Sequence, residues 1–221
     1  IDSSVVSTLC ARTGIKTLVA SMPISQRPEH HDLSIKHKNW LTSKYQNAYG
    51  VEIDLTGAYL SFENILTDKK FTSDLGLANS KARLRMMTLY QIAASTTGLV
   101  IGTGNKVEDF GVGFYTKYGD GGVDISPIAD CTKSQVWAMG KELGILEEIQ
   151  MAEPTDGLWS DGRTDTDQLG MSYKEIEFLM DRPSEPGYEK YLTIRKKNLH
   201  KMKSIPICKF DGKIPLDADP K

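Results

Sequence analysis

Apolar positions along this chain follow two rhythms, short unbroken runs and longer stretches with a helical repeat. The run Thr17-Leu18-Val19-Ala20-Ser21-Met22 stops at Pro23, which predicts a buried strand opening at its C-terminal end into a loop. Val51-Glu52-Ile53-Asp54-Leu55 reads as a second strand. Leu99-Val100-Ile101-Gly102 is continuously apolar, as a strand in the middle of a parallel sheet would be. Between these runs the repeat turns helical. Over 29–49, Leu33, Ile35, Trp40 and Tyr45 are candidate buried positions, and a helix around 58–66 follows. The clearest helix is 78–96, where Ala82, Met86, Leu89, Tyr90 and Ala93 recur at helical spacing, Asn79 or Ser80 can cap, and Gly98 stops. Further helices are predicted at 133–143, 147–151, 173–181 and 185–203, the last strongly basic. Strands alternating with helices predict an α/β fold, with a doubly wound, mainly parallel sheet flanked by helices.

Composition narrows this picture without redirecting it. At 221 residues the chain can bury one sizeable core, and a single domain over 1–221 is expected. With 39% hydrophobic and 25% charged residues it has the make-up of an ordinary globular protein. A formal net charge of -2 gives no global attraction to nucleic acid or to an anionic membrane. The longest apolar runs are too short to span a bilayer. Cys10, Cys131 and Cys208 are odd in number, scattered and without metal-ligand spacing, so they read as buried or idle thiols of a reducing, cytoplasmic setting.

Three stretches are candidates for chemistry. Asp2-Ser3-Ser4 opens an amphipathic run, and such a helix start offers hydroxyls and free N–H groups to a phosphate, although an Asp-Ser cap is also commonplace. Gly102-Thr103-Gly104-Asn105-Lys106-Val107-Glu108-Asp109 leaves an apolar run with a hydroxyl and two carboxylates, which suits Mg²⁺ but also suits a capped helix with an acidic first turn. Phe114-Tyr115-Thr116-Lys117-Tyr118-Gly119-Asp120-Gly121-Gly122-Val123-Asp124 is glycine-dense. A hairpin explains Asp-Gly-Gly but not the flanking aromatics, lysine and second aspartate, so a binding loop is the better reading.

Together these pieces resemble a known family. Ile1-Asp2-Ser3-Ser4 is similar to the tail of the Ser-Gly-Gly-x-Asp-Ser pyrophosphate loop of N-type ATP pyrophosphatases. Asn79 through Met86, Gly102 through Glu108, Thr116 through Asp124, Pro154 through Trp159, and Asp161 through Gly170 resemble, in that order, segments of the NAD synthetases. The resemblance spans nearly the whole chain and implies an adenine nucleotide alpha hydrolase-like fold, with the start of the pyrophosphate loop and the first strand absent before Ile1. It also implies ATP-dependent amidation of deamido-NAD by ammonia through an adenylate, releasing AMP and pyrophosphate, and a homodimer.

The implied roles follow position by position. Asp2 and Glu108 would ligate Mg²⁺. Ser3, Thr103, Lys133 and Thr155 would contact ATP, while Arg83, Lys117, Asp124, His200 and Lys201 would hold deamido-NAD. Asp120 would orient ammonia or take its proton. For Lys133 the plainer alternative is a solvated helix charge, for Arg83 a surface arginine, and for His200-Lys201 a basic helix face. His200-Lys201 is followed by Met202 and Lys203, where the family usually continues with arginine. The glycine-rich loop and the basic last helix are the expected lids. Rival readings are another ATP pyrophosphatase (GMP synthetase-like or tRNA-thiolating) and a non-catalytic nucleotide-binding module. Glutamine replaces ammonia as nitrogen source if an amidase domain precedes Ile1.

Overall fold

The computed structural model describes residues 1–159 and 161–208, so the end of the expected domain, 209–221, lies outside the described residues. The chain runs through α1 (Asp2–Arg12), β1 (Thr17–Ser21), α2 (Pro28–Lys44), β2 (Ala48–Glu52), α3 (Thr56–Asp68) and α4 (Asp74–Thr96). A π-helix (Val107–Val112) follows, then α5 (Lys133–Glu142), α6 (Glu147–Met151), α7 (Asp165–Leu169), α8 (Tyr173–Leu179) and α9 (Tyr188–Met202).

β1 and β2 pair in parallel, from Thr17 opposite Ala48 to Ser21 opposite Glu52, with α2 as the crossover. Pro28 starts α2 at a position where its missing N–H is no loss. The apolar residues of α1 serve two cores. Ala11 packs with Leu41 and Ala48 near the strands, while Val5 and Val6 pack with Ile128, Val136, Leu143 and Ile149 around α5 and α6. A third core joins the π-helix to α8 and α9 through Val107, Val112, Tyr173, Ile176, Leu179 and Tyr191.

The α/β architecture with a parallel sheet agrees with the sequence reading, and several boundaries move. α2 ends at Lys44 and β2 begins at Ala48, earlier than 51, because Tyr45 turns extended and the Asn47 side chain ties the turn to the carbonyls of Ala11 and Ile15. α4 starts at Asp74, where Ser73 Oγ accepts from the Gly76 amide. Asn79 and Ser80 are therefore inside the helix and do not cap it. The expected third strand at 99–102 is reduced to a parallel bridge, Ile101 with Ile125, framed by the left-handed Thr97 on one side and Gly102 on the other. Val100 is buried but Leu99 is 63% exposed, so this run is not covered on both faces. Cys208 is exposed, and Cys10 and Cys131 are half-buried. No helix among the described residues is long and apolar enough to cross a membrane.

Candidate active site

Four helix starts converge on one point. Thr132 with Gln135, Thr164 with Asp167 and Ser172 with Glu175 each form a reciprocal capping box, which fixes where α5, α7 and α8 begin. The first helical residue after each cap is Lys133, Asp165 or Tyr173, and each points its side chain into the same buried network. Asp2, the first residue of α1, joins them.

Lys133 is 2% exposed, so the reading of a solvated helix charge is corrected. Its Nζ lies 2.5 Å from Asp2 Oδ2 and 2.9 Å from Glu108 Oε1, over the face of the Tyr173 ring. Burial works to lower the Lys133 pKa, but Glu108 and Asp2 outweigh it and leave the pKa raised, so the ammonium stays charged. Asn105, fully buried, donates to Asp2 Oδ1 at 2.8 Å and accepts from the amides of Val107 and Glu108, pinning the π-helix start to α1. Tyr173 Oη reaches Glu108 Oε1 at 2.6 Å and Asp165 Oδ2 at 2.7 Å. Asp109 folds back against Gly104, where any Cβ would meet its carboxyl at 2.2 Å. Burial, then Glu108, Asp120 and Asp2, push the Asp109 pKa up to about 7.

A second cluster surrounds the glycine-rich loop. Asn79 accepts from the Thr116 hydroxyl at 2.6 Å, and Arg83 Nε donates to Lys117 O at 3.3 Å, so α4 holds one side. α9 holds the other. Arg195 donates to Phe110 O and Gly111 O, Asn198 to Val112 O, and Lys201 Nζ to Gly113 O and Tyr115 O at 2.9 and 2.7 Å. Gly113 ends the π-helix at φ 67 with Asn198 Cβ so close that a side chain would clash. Tyr118 is left-handed at φ 62 and half-exposed, a strained conformation for a tyrosine that this framework maintains. Asp120 Oδ1 accepts from the Thr116 amide at 2.9 Å. Asp120 is exposed to solvent, and desolvation by the surrounding protein raises its pKa, partly offset by the Thr116 amide.

The remaining candidates divide. Lys117 Nζ bonds His200 O at 3.4 Å, which puts Lys117, His200 and Lys201 on one rim. Asp124 accepts from the Val100 amide and from Tyr90 Oη, so both its oxygens have structural partners. Thr155 bonds within its own loop, to Arg163 O and from the Gly157 amide. Ser3 is exposed beside Asp2, and Thr103 is half-buried between Gly102 and Gly104. Arg85 was not singled out by sequence, although it is half-buried and donates to Met22 O at the end of β1. Tyr173 and Asp165 were also missed. The Ser/Thr-x-x-acid/amide pattern before each was the available signal.

Chemically, two carboxylates from distant segments share one cation at the N-terminal end of α1. Hard oxygen donors of this kind suit Mg²⁺, which binds through one or two carboxylates plus phosphate oxygens. Among the described residues no three His, Cys, Asp or Glu side chains are grouped to cage a metal, so a metal here would take further oxygens from a ligand. No hydrogen bond from the described residues reaches Glu108 Oε2, and that oxygen fits the role.

Residues 1–212 match the family model described as NAD synthase. The NH(3)-dependent NAD(+) synthetase of Carboxydothermus hydrogenoformans is 37% identical over 93% of this chain and 84% of its own length. An NMN synthetase structure from Francisella tularensis superposes with a TM-score of 0.85 at 32% identity, covering 95% of this chain and 85% of the other. An NH3-dependent NAD synthetase structure from Campylobacter jejuni gives 0.70 at 25% identity, covering 94% and 85%.

Proposed function

The chain belongs to the NAD synthase family, and from that membership we propose that it uses ATP and ammonia to convert the nicotinate carboxylate of deamido-NAD into the amide of NAD. It is a ligase that forms a C–N bond. The observation that carries the site assignment is the meeting of Asp2 and Glu108 at the Lys133 ammonium.

A carboxylate oxygen is a poor leaving group and must be activated before ammonia can displace it. In the proposed first step the nicotinate carboxylate attacks the α-phosphorus of ATP, giving an acyl adenylate and pyrophosphate. Two anions approach each other there, and Lys133, with Ser3, Thr103 and Thr155, offsets the repulsion. Mg²⁺ held by Asp2, Glu108 and triphosphate oxygens would supply further charge neutralisation. Arg83, Lys117, Asp124, His200 and Lys201 line the dinucleotide side. In the second step ammonia displaces AMP. Ammonium dominates in neutral water, so a proton must leave before attack. Asp120, its pKa already raised by desolvation, takes that proton. The loop over 113–122 and α9, already bonded to each other, keep water from the adenylate.

A homodimer and a cytoplasmic setting belong to the same proposal. Ile65, Phe71, Leu75 and Met87 are exposed along α3, α4 and the turn between them, and apolar side chains exposed in this way are suited to a subunit contact. Purified protein given deamido-NAD, ATP and ammonium should release pyrophosphate and form NAD. Absence of both products refutes the reading.

One observation favours a second substrate. The NMN synthetase structure superposes better than the NAD synthetase structure, 0.85 against 0.70. Nicotinate mononucleotide presents the same carboxylate without the adenylyl half. A kcat/KM for the mononucleotide above that for the dinucleotide would assign the chain to it.

A further inference from the structure

Lys81 and Arg85 stand one turn apart on α4, and the reaction derived above uses neither. Like charges at this spacing repel each other on a helix surface. Both side chains are half-buried, and neither forms an ion pair with a described carboxylate. Lys81 Nζ donates to Leu158 O at 3.0 Å and lies over the Tyr59 ring. Arg85 Nε donates to Met22 O at 3.0 Å. Its Nη2 is buried without a hydrogen-bond partner among the described residues, and Nη1 has none there either. A charged donor left unpaired costs more than a neutral one, so this guanidinium calls for a counter-charge.

Nearby acids do not bond to it. Those facing Arg85 are Asp120 and Asp156, and those facing Lys81 are Glu63 and Asp156. Asp120 Oδ1 accepts from the Thr116 amide, while Asp156 accepts from the Leu158 amide and from Gln168 Nε2. Desolvation lowers the Arg85 pKa only to about 10, so its charge persists at neutral pH. Placement points to the ligand. Met22 directly follows β1, and in a parallel α/β sheet ligands sit beyond the C-terminal strand ends. On its other side α4 brings Ala82 and Met86 against Gly119 and Gly122, where an added Cβ would meet them at 3.0 and 3.2 Å. Arg85 thus stands between the end of β1 and the loop that carries Asp120.

We propose that Arg85, assisted by Lys81, binds an oxyanion of a bound nucleotide at this junction, from ATP or from the deamido substrate. A guanidinium offers several donors in one plane and matches phosphate and carboxylate alike. This role rests on the proposed reaction, in which those two anionic molecules must meet. A cation between them offsets part of their mutual repulsion.

Titration calorimetry with α,β-methylene-ATP and, separately, with deamido-NAD tests it at two salt concentrations. Arg85→Gln keeps a donor for Met22 O but loses the charge, and should weaken one of the two ligands about tenfold, the worth of one hydrogen bond between charged groups. Loss confined to the ATP analogue assigns a phosphoryl oxygen, and loss confined to deamido-NAD assigns an oxyanion of the dinucleotide. Arg85→Lys should restore part of the affinity. Lys81→Met should cost about threefold for the same ligand. Wild-type affinity should also fall more steeply with added salt than that of Arg85→Gln, because the contact removed is ionic. Where Arg85→Gln does not fold, Lys81→Met carries the comparison. Unchanged affinity for both ligands overturns the proposal. So does a loss with wild-type salt dependence and no rescue by lysine, which marks a structural role. Wild-type protein that binds neither ligand sinks the proposed function and this role with it, a result distinct from wild-type binding that the variants retain.

Discussion

Lys133 Nζ lies 2.5 Å from Asp2 Oδ2, although 131 positions separate the two residues. The same ammonium bonds Glu108, so helix starts and a π-helix from three parts of the chain are fastened at one charge. Breaking such a group is more consequential than its net contribution suggests, because the survivors are left buried and unpaired.

Replacing Lys133 with Met should therefore lower unfolding stability by roughly 3–5 kcal/mol, measured by urea denaturation. Replacement of Asp2 and Lys133 together should recover part of that loss. Equal stability of the Lys133→Met variant and wild type would contradict the buried-network account.

Asp120→Asn should reduce kcat by about 10²–10⁴-fold, with KM for ATP little changed. In the proposed reaction Asp120 acts on ammonia, and the Thr116 amide holds its side chain in place. Raising pH, which supplies more free ammonia, should restore part of the rate. Steady-state kinetics across pH reads this directly.

His37 offers a pH test remote from the chemistry. It is 8% exposed, its Nε2 is 2.8 Å from Ser7 Oγ, and burial depresses its pKa to about 4. The unfolded chain binds the proton more readily between about pH 6.5 and 4, so stability should fall as pH drops through that window. The loss amounts to at most about 3 kcal/mol. His37→Phe should flatten that slope, as read from melting temperatures at several pH values.

Gly113→Ala places a side chain at φ 67 against Asn198. It should cost roughly 1–3 kcal/mol and loosen α9 from the loop. Faster amide hydrogen exchange across 188–202, with reduced turnover, is the expected result.

How far the sequence reached can be judged from particular residues. The helical repeat of α4 and the apolar run of β1 were legible because each element's own periodicity encodes its burial. The third strand was overread, since an apolar run carries no information on whether both faces are covered, and Leu99 is exposed. Lys133 was legible as a candidate site residue through family resemblance, while its type and position alone suggest a solvated charge. Asp165, inside a quoted motif, and Tyr173, at a predicted helix start, received no site role even though the caps before them, Thr164 and Ser172, are local signals. That those helix starts face one another is a tertiary fact which no local spacing contains.

The most direct test of adenylation at this site follows oxygen. Deamido-NAD labelled with ¹⁸O in its nicotinate carboxylate is turned over with ATP and ammonium, and AMP is analysed by mass spectrometry. Attack of the carboxylate on the α-phosphorus requires one labelled oxygen to end in AMP, with the yield collapsing in Glu108→Gln. Unlabelled AMP, or amide formed without AMP, would contradict it.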